Sequence, residues 1–488
     1  MLRKYIVRYL LVCGVLVNAG VVTALSTAIY QLYQSDIGFD TVVFHTADNI
    51  EKHVPSVAKK IRGFVQASEQ KYLFNSAELE NWVGEAGVRF PYVKLDESVI
   101  PTRGRSIRVF SAKQFRQALR NAKPGDVITL AKGIYRFDSK LISIGKQGLP
   151  DKPIRVKADR LGDVILRLDT LEGFYVNQPY WGFENLTIEG VCKYDSRCEH
   201  AFHVVGDGHH FVLKNNIITE FNAAIKVNGT RVNGHRVYPD FGRVEYNNIF
   251  NRRVRDTANP VTVIDIIAVN NWIVKKNFIA DFVKGKGNKI SYAGFFKGGG
   301  SDNVFEQNFV ACRFNLNNHS GVQVGLSFGG GGSSQSACRD GVCDGEHYRG
   351  TIRNNVIANC NDVAVYLNKS SETEIYNNTL INTLGIDIRY PQSSAVIANN
   401  MLTGRIKNRN FGSSEEYANL IFDMDDLGDY FLDPSVGDMS IVGGDEILLK
   451  GVPTVKDKFD FCGNEKISGA IDIGAIQYSA NGELCKLF

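Results

Sequence analysis

The sequence lacks a dominant charge of either sign. Its 488 residues hold 56 Lys or Arg and 52 Asp or Glu, a formal net charge of +4. That balance excludes a disordered acidic chain and a strongly basic nucleic-acid binder, so no nucleic-acid partner is expected. It permits an anionic substrate without requiring one. Several motifs are missing as well. No CxxC occurs and the histidines do not cluster with the cysteines, which argues against a zinc site. No GKS or GKT follows the glycine runs, and no strand-to-helix pattern surrounds them, so they do not form a nucleotide site. HExxH is absent too.

What is present reads as β structure. There are 47 Gly, 29 Phe and 20 Tyr, a composition suited to many short strands joined by turns. The length allows several globular domains or one elongated solenoid. Of nine cysteines, Cys13 lies in an N-terminal apolar run. The other eight are even in number and include the close neighbours Cys192 and Cys198, Cys338 and Cys343, and Cys462 and Cys485. That pattern favours disulfides and an oxidising compartment over free thiols.

The first 30 residues read as a signal anchor. Arg3, Lys4 and Arg8 precede an apolar run of 22 residues, Tyr9 to Tyr30, long enough to span a bilayer. The positive flank stays cytoplasmic, so the remainder is expected outside, anchored to the inner membrane and facing the periplasm, or secreted if the run is cleaved. Residues 31–104 read as a helical stalk, with Ile50, Val54, Val57, Ile61 and Val65 on one face; a packed edge helix of the main domain is the alternative.

From residue 105 the pattern changes. Phe110–Ala122 shows a capping box, Ser111 with Gln114, and an apolar stripe of Phe115, Ala118, Leu119 and Ala122. This helix is expected to seal the open end of a stack of strands. A repeat follows: LKNNII, VEYNNIF, VKKNFI, FEQNFV, IRNNVI, IYNNTL and IANNML, marked by Asn216, Asn248, Asn277, Asn308, Asn355, Asn378 and Asn400. The intervals are 32, 29, 31, 47, 23 and 22, the short ones matching a minimal coil of a parallel β-helix and the long ones a coil with an inserted loop. Asn tolerates left-handed backbone, and stacked amides make ladders between coils. The fold class expected is all-β, a single right-handed parallel β-helix over 105–488 with a capping helix and a C-terminal closure, and a monomer. Cys312 and Cys360 fall at one corner of neighbouring coils. The widest insertion lies in the stretch Gly294 to Gly350, and insertions in a solenoid gather on the binding face.

The segment SAKQFRQALRNAKPGDVITLAKGIYRF, with GLPDKPIRVKA, YWGFENLTIEG and the ending FLDPSVGDMSIV…IDIGAIQY, resembles the chondroitinase B and alginate lyase family of right-handed β-helix proteins. The resemblance covers roughly residues 106–478. It implies elimination chemistry on an acidic polysaccharide, with a Lys base, an Arg on an adjacent coil and calcium at the uronate. Lys297 occupies a place similar to that of the family's lysine. Where the family has its arginine this chain reads LSFGGGG, and where it has an acidic pair for calcium this chain reads ISYAGFF.

Breaking a uronate chain by β-elimination needs a base for the C5 proton, a cation for the carboxylate and an acid for the leaving oxygen. Lys297 is the candidate base, and the glycines after it would let a sugar approach the backbone; a solvated surface lysine is the alternative. His347 is a candidate acid or base, and Arg349 a candidate replacement for the missing arginine. Glu346, next to them, is a substrate-binding candidate; a loop-anchoring ion pair is the alternative. Lys297 and Arg389 each lie eleven residues before a repeat Asn, which puts both in one column of the coil stack, with Leu367 and Lys369 between them. Arg389, Tyr390, Arg313, Asn317, His319 and Asp265 are further substrate-binding candidates; Asp265 is also a candidate metal ligand, and the alternatives are a structural role for Arg389 and a buried turn role for Asp265. The function expected is a polysaccharide lyase acting on an acidic glycan. The alternatives are a C5 epimerase, a hydrolase using Asp340, Asp344 and Glu346, and a non-catalytic glycan binder.

Overall fold

The computed structural model describes residues 104–487, apart from 139–140, 317–318, 331–332, 454–457, 467–470 and 480–483. The expected anchor and stalk lie outside the described residues. Among the described residues no helix is long and apolar enough to cross a membrane.

The chain winds as a right-handed parallel β-helix whose coils stack three long parallel sheets. The first sheet has 12 strands, from Ser106–Val109 to Ser413–Tyr417. The second has 11, from Gly133–Phe137 to Leu420–Ile421, and the third has 10, from Ile142–Ser143 to Arg405–Arg409. Each coil pairs in register with the next, at about 4.8 Å per step. Inward residues alternate along the strands and stack into one core, including a column of rings from Phe174, Phe183, Phe202 and Phe211.

The asparagine ladder is real, with one member shifted. Asn216, Asn247, Asn277, Asn308, Asn355, Asn378, Asn400 and Asn419 form it; the second is Asn247, not Asn248. At Asn308, Nδ2 donates to Val274 O at 2.9 Å and to Asn355 Oδ1 at 3.0 Å, while Oδ1 accepts from Asn277 Nδ2 at 3.0 Å. Each buried amide is thereby satisfied by its neighbours, as burial demands. The left-handed residue is the one before the ladder Asn: Asn215, Tyr246, Lys276, Gln307, Asn354, Asn377, Asn399 and Ala418 all have φ between 49° and 58°. On the outward face of the first sheet, Lys157, Glu184, Lys214, Glu245, Lys275, Glu306 and Arg353 alternate in sign down one column.

The helix Ala112–Asn121 covers the first coil with Phe115, Ala118 and Leu119. Its capping box forms as expected: Gln114 N donates to Ser111 Oγ at 3.2 Å and Phe110 N to Gln114 Oε1 at 2.8 Å. The C-terminal segment departs from the expected closure. It lies along the outside of the second sheet, where Phe422, Tyr430, Phe431, Met439, Phe461 and Ile473 pack on Phe250, Phe278, Phe309, Val356 and Met401. Short second-sheet strands such as Phe309–Ala311 are therefore buried on both faces. At the last coil the positions in register with Ala395 and Ile397 are Ser414 and Glu416. Polar residues thus end the apolar column and discourage end-to-end pairing.

Disulfides join Cys192–Cys198, Cys312–Cys360, Cys338–Cys343 and Cys462–Cys485. Cys312–Cys360 links neighbouring coils at one corner, as the spacing predicts. Four disulfides fit an exported protein.

Candidate active site on the third sheet

The outward face of the third sheet carries the candidate site. Alternation along its strands points every second side chain outward. One outward column runs Tyr175, His203, Lys226, Asp265, Phe295, Ser327, Tyr366 and Asp387. The adjacent column, toward the strand ends, holds Ile267, Lys297, Gly329, Asn368, Arg389 and Arg409. Lys297 and Arg389 therefore share a column, as the eleven-residue count predicts; the residues between them are Gly329 and Asn368, not Leu367 or Lys369.

Lys297 ends the strand Ile290–Lys297 and is partly buried, its Nζ 4.4 Å from the centre of the Phe295 ring. Burial pushes its pKa down; Asp265 opposes this, Lys226 adds to it, and Glu346 opposes it. An amine so placed gives up its proton more readily than a free lysine, which a general base requires. Lys226 faces the same neighbourhood and is held by Asp265, Nζ to Oδ2 2.7 Å. The other oxygen of Asp265 is buried and without a hydrogen-bond partner. Asp265 thus sits in the sheet face rather than in a turn.

Further along, Asn368 Nδ2 donates to Tyr366 Oη at 3.0 Å. Arg389 reaches the same oxygen at 3.5 Å, donates to Asn410 Oδ1 at 3.0 Å and lies 4.9 Å from the Tyr390 ring centre. Burial raises the Tyr366 pKa, so this phenol keeps its proton. At the other end, His203 Nδ1 stands 3.1 Å from Glu172 Oε2 and Nε2 stands 2.8 Å from Asn228 Oδ1.

Other expectations need correction. His347 is fully buried and stacked on Phe328, ring centres 4.2 Å apart, with Asn303 Nδ2 2.9 Å from Nε2. Burial pushes its pKa down to about 3, so it is a neutral core histidine without access to a substrate. Glu346 is buried as a loop anchor, accepting from Gly298 N at 3.0 Å and Ser333 Oγ at 2.9 Å. Arg349 lies past the short sheet of Gly300–Ser301, His347–Tyr348 and Ser370–Ser371, where it grips Asp302 with two bonds of 2.9 Å. Arg313 is buried near the start of the strand Val322–Phe328, at the opposite end of the strands from Lys297, its Nε donating to Gln323 Oε1 at 2.8 Å. His319 is exposed near it. Asn317 lies outside the described residues. The first glycine run serves the turn itself: a side chain on Gly298, at φ +76°, would meet Ile267 Cγ2 at 2.7 Å. Gly325–Gly329 matches GxSxG, but Ser327 is a buried strand residue whose hydroxyl donates to Gly329 O at 2.7 Å, so it is no nucleophile elbow.

The long insertion forms a wall beside Lys297. Arg339 donates to both carboxylate oxygens of Asp240 at 2.8 Å and to Ala268 O at 3.0 Å, and its own N–H bonds Gly298 O. A hairpin, Thr230–Val232 with His235–Val237, meets this loop through Arg236 on Cys338 O and Tyr238 on Arg339 O. Among the described residues no group of three or more His, Cys, Asp or Glu is placed to hold a metal ion.

Residues 332–423 match the family model of NosD, described as a periplasmic copper-binding protein. No curated protein sequence matches this chain. Pectate lyase Pel9A superposes with a TM-score of 0.53 at 13% identity, covering 78% of this chain and 98% of that one. An alginate lyase from Paenibacillus sp. aligns with a TM-score of 0.39 at 13% identity, covering 65% of this chain and 95% of that one. At such identity the likeness to Pel9A is one of fold, a parallel β-helix that a polysaccharide lyase also uses.

Proposed function

We propose that this protein is an exported, membrane-tethered polysaccharide lyase that cleaves an acidic, uronate-containing glycan by β-elimination on the outward face of the third sheet. The observation that carries this reading is Lys297, a partly buried lysine of lowered pKa on an open face flanked by further cations. Its neutral amine removes the C5 proton. The electron pair of that C–H bond forms the C4–C5 double bond, and the bond from C4 to the glycosidic oxygen breaks. The leaving oxygen takes a proton, for which Tyr366 is the phenol on the same face that stays protonated. Charge developing on the carboxylate is offset by Lys226, held in place by Asp265, in the role the resembled family gives to arginine. Arg389, three ladder steps from Lys297, binds a neighbouring acidic sugar.

A second reading, binding without cleavage, draws support from the existing pairs Lys226–Asp265 and Arg409–Asp387, which leave less free charge for a transition state. Incubating the protein with a panel of acidic polysaccharides in deuterated water separates the readings. New ultraviolet absorbance from a chain-end double bond marks elimination. Deuterium in unbroken polymer marks epimerisation, and binding with neither marks a binder.

A further inference from the structure

The capping helix has a second surface, opposite its core stripe. Lys113, Arg116, Gln117 and Arg120 recur three or four residues apart along its outward face. Arg136, from the first strand of the second sheet, joins them. With Asn121, Phe137 and Asp138 they line a cleft of about 620 Å³. Four cations there face one carboxylate. Arg116 is fixed in place, its guanidinium 5.0 Å from the Phe137 ring centre and its Nη1 donating to Leu141 O at 3.1 Å. Burial lowers its pKa, Asp138 opposes this and Arg120 adds to it, so an incoming anion relieves part of that cost. Among the described residues no ion pair occupies Lys113, Arg120 or Arg136.

We infer that this cleft binds an acidic stretch of polysaccharide as a second, non-cleaving contact, separate from the Lys297 face. Guanidinium forks match sugar carboxylates, and a concave cleft of this size suits one or two sugar rings better than a flat membrane surface. The strand bearing Lys297 lies five ladder steps from the first strand of its sheet, at about 4.8 Å per step. A long chain held at both places gains avidity that a short one does not. The class of ligand rests on the acidic-glycan reading above; the cleft itself does not depend on catalysis.

The test uses the full chain carrying Lys297→Ala, so that polymer is not consumed. Calorimetric titration with alginate and with polygalacturonate, and dextran as neutral control, is compared with the same chain carrying Arg120→Gln and Arg136→Gln in addition. Both positions are exposed, so the unfolding temperature should not move. The expected result is about tenfold weaker binding of a uronate polymer, a shallower salt dependence, and no binding of dextran by either chain. Unchanged affinity, no uronate binding by the parent chain, or a loss seen with phosphatidylglycerol vesicles alone would overturn the proposal. If the wild type yields no unsaturated product yet the cleft variants lose polymer binding, the elimination reading fails and the cleft stands. Product formation with unchanged affinity gives the reverse.

Discussion

Lys226 and Asp265 form a 2.7 Å ion pair across adjacent coils, and Asp265 also stabilises the charged form of Lys297. One carboxylate therefore serves two lysines on the candidate face. Asp265→Asn should free Lys226 and push the Lys297 pKa further down. The rising limb of the pH–rate profile should move to lower pH, because Lys297 acts as a base only after losing its proton. Initial rates across pH, with circular dichroism to confirm folding, check this; a shift to higher pH would count against it.

His347 sets an acid limit on stability. Its folded pKa of about 3 lies below its ordinary 6.5, so the folded state binds fewer protons than the unfolded state. Stability should be intact above about pH 6.5 and fall as pH drops toward 3, by roughly 5 kcal/mol at full extent. His347→Phe keeps a ring against Phe328 and should flatten that fall. Urea unfolding at pH 7 and pH 4 measures the difference.

The ladder makes Asn308 costly to remove. Asn308→Ala withdraws acceptor and donor groups from Asn277, Val274 and Asn355 inside the core. The expected loss is about 3 kcal/mol. Asn248→Ala, one residue off the ladder, should cost less than Asn247→Ala, and chemical denaturation of both orders them.

The last coil guards its own edge. Glu416→Val, in register with Ile397, should extend the apolar column to an unpaired strand edge. Concentration-dependent self-association by sedimentation is the expected outcome, where the wild type gives none.

Much of this architecture is legible in the sequence because its signals are periodic. The Asn tags mark the coils, the capping box marks the seal, and the eleven-residue count aligns Lys297 with Arg389. The ladder is misread by one residue at Asn248 because the doublet Asn247-Asn248 offers two candidates and the stacking amide is the first. Lys226 and His203 escape notice for a different reason. The hairpin around Asn233 lies between Lys226 and Asn247 and lengthens that coil, so the offset shared by other coils does not reach Lys226. His203 lies 13 residues before Asn216, as Asp387 does before Asn400, an offset that the eleven-residue count does not sample. His347 misleads because its two-residue strand lies inside an insertion, where no alternation tells inward from outward. Arg349 follows it in a left-handed turn, φ 49°, that carries the side chain to Asp302.

The central claim is that Lys297 is the base of an elimination. Its most direct test is the unsaturated-product assay on the best polymer, with wild type beside Lys297→Ala and Lys297→Arg. Both variants should remain folded and lose roughly a hundredfold to ten-thousandfold in rate, since arginine keeps the charge but does not give up its proton. Product formed by Lys297→Ala at the wild-type rate would contradict the account.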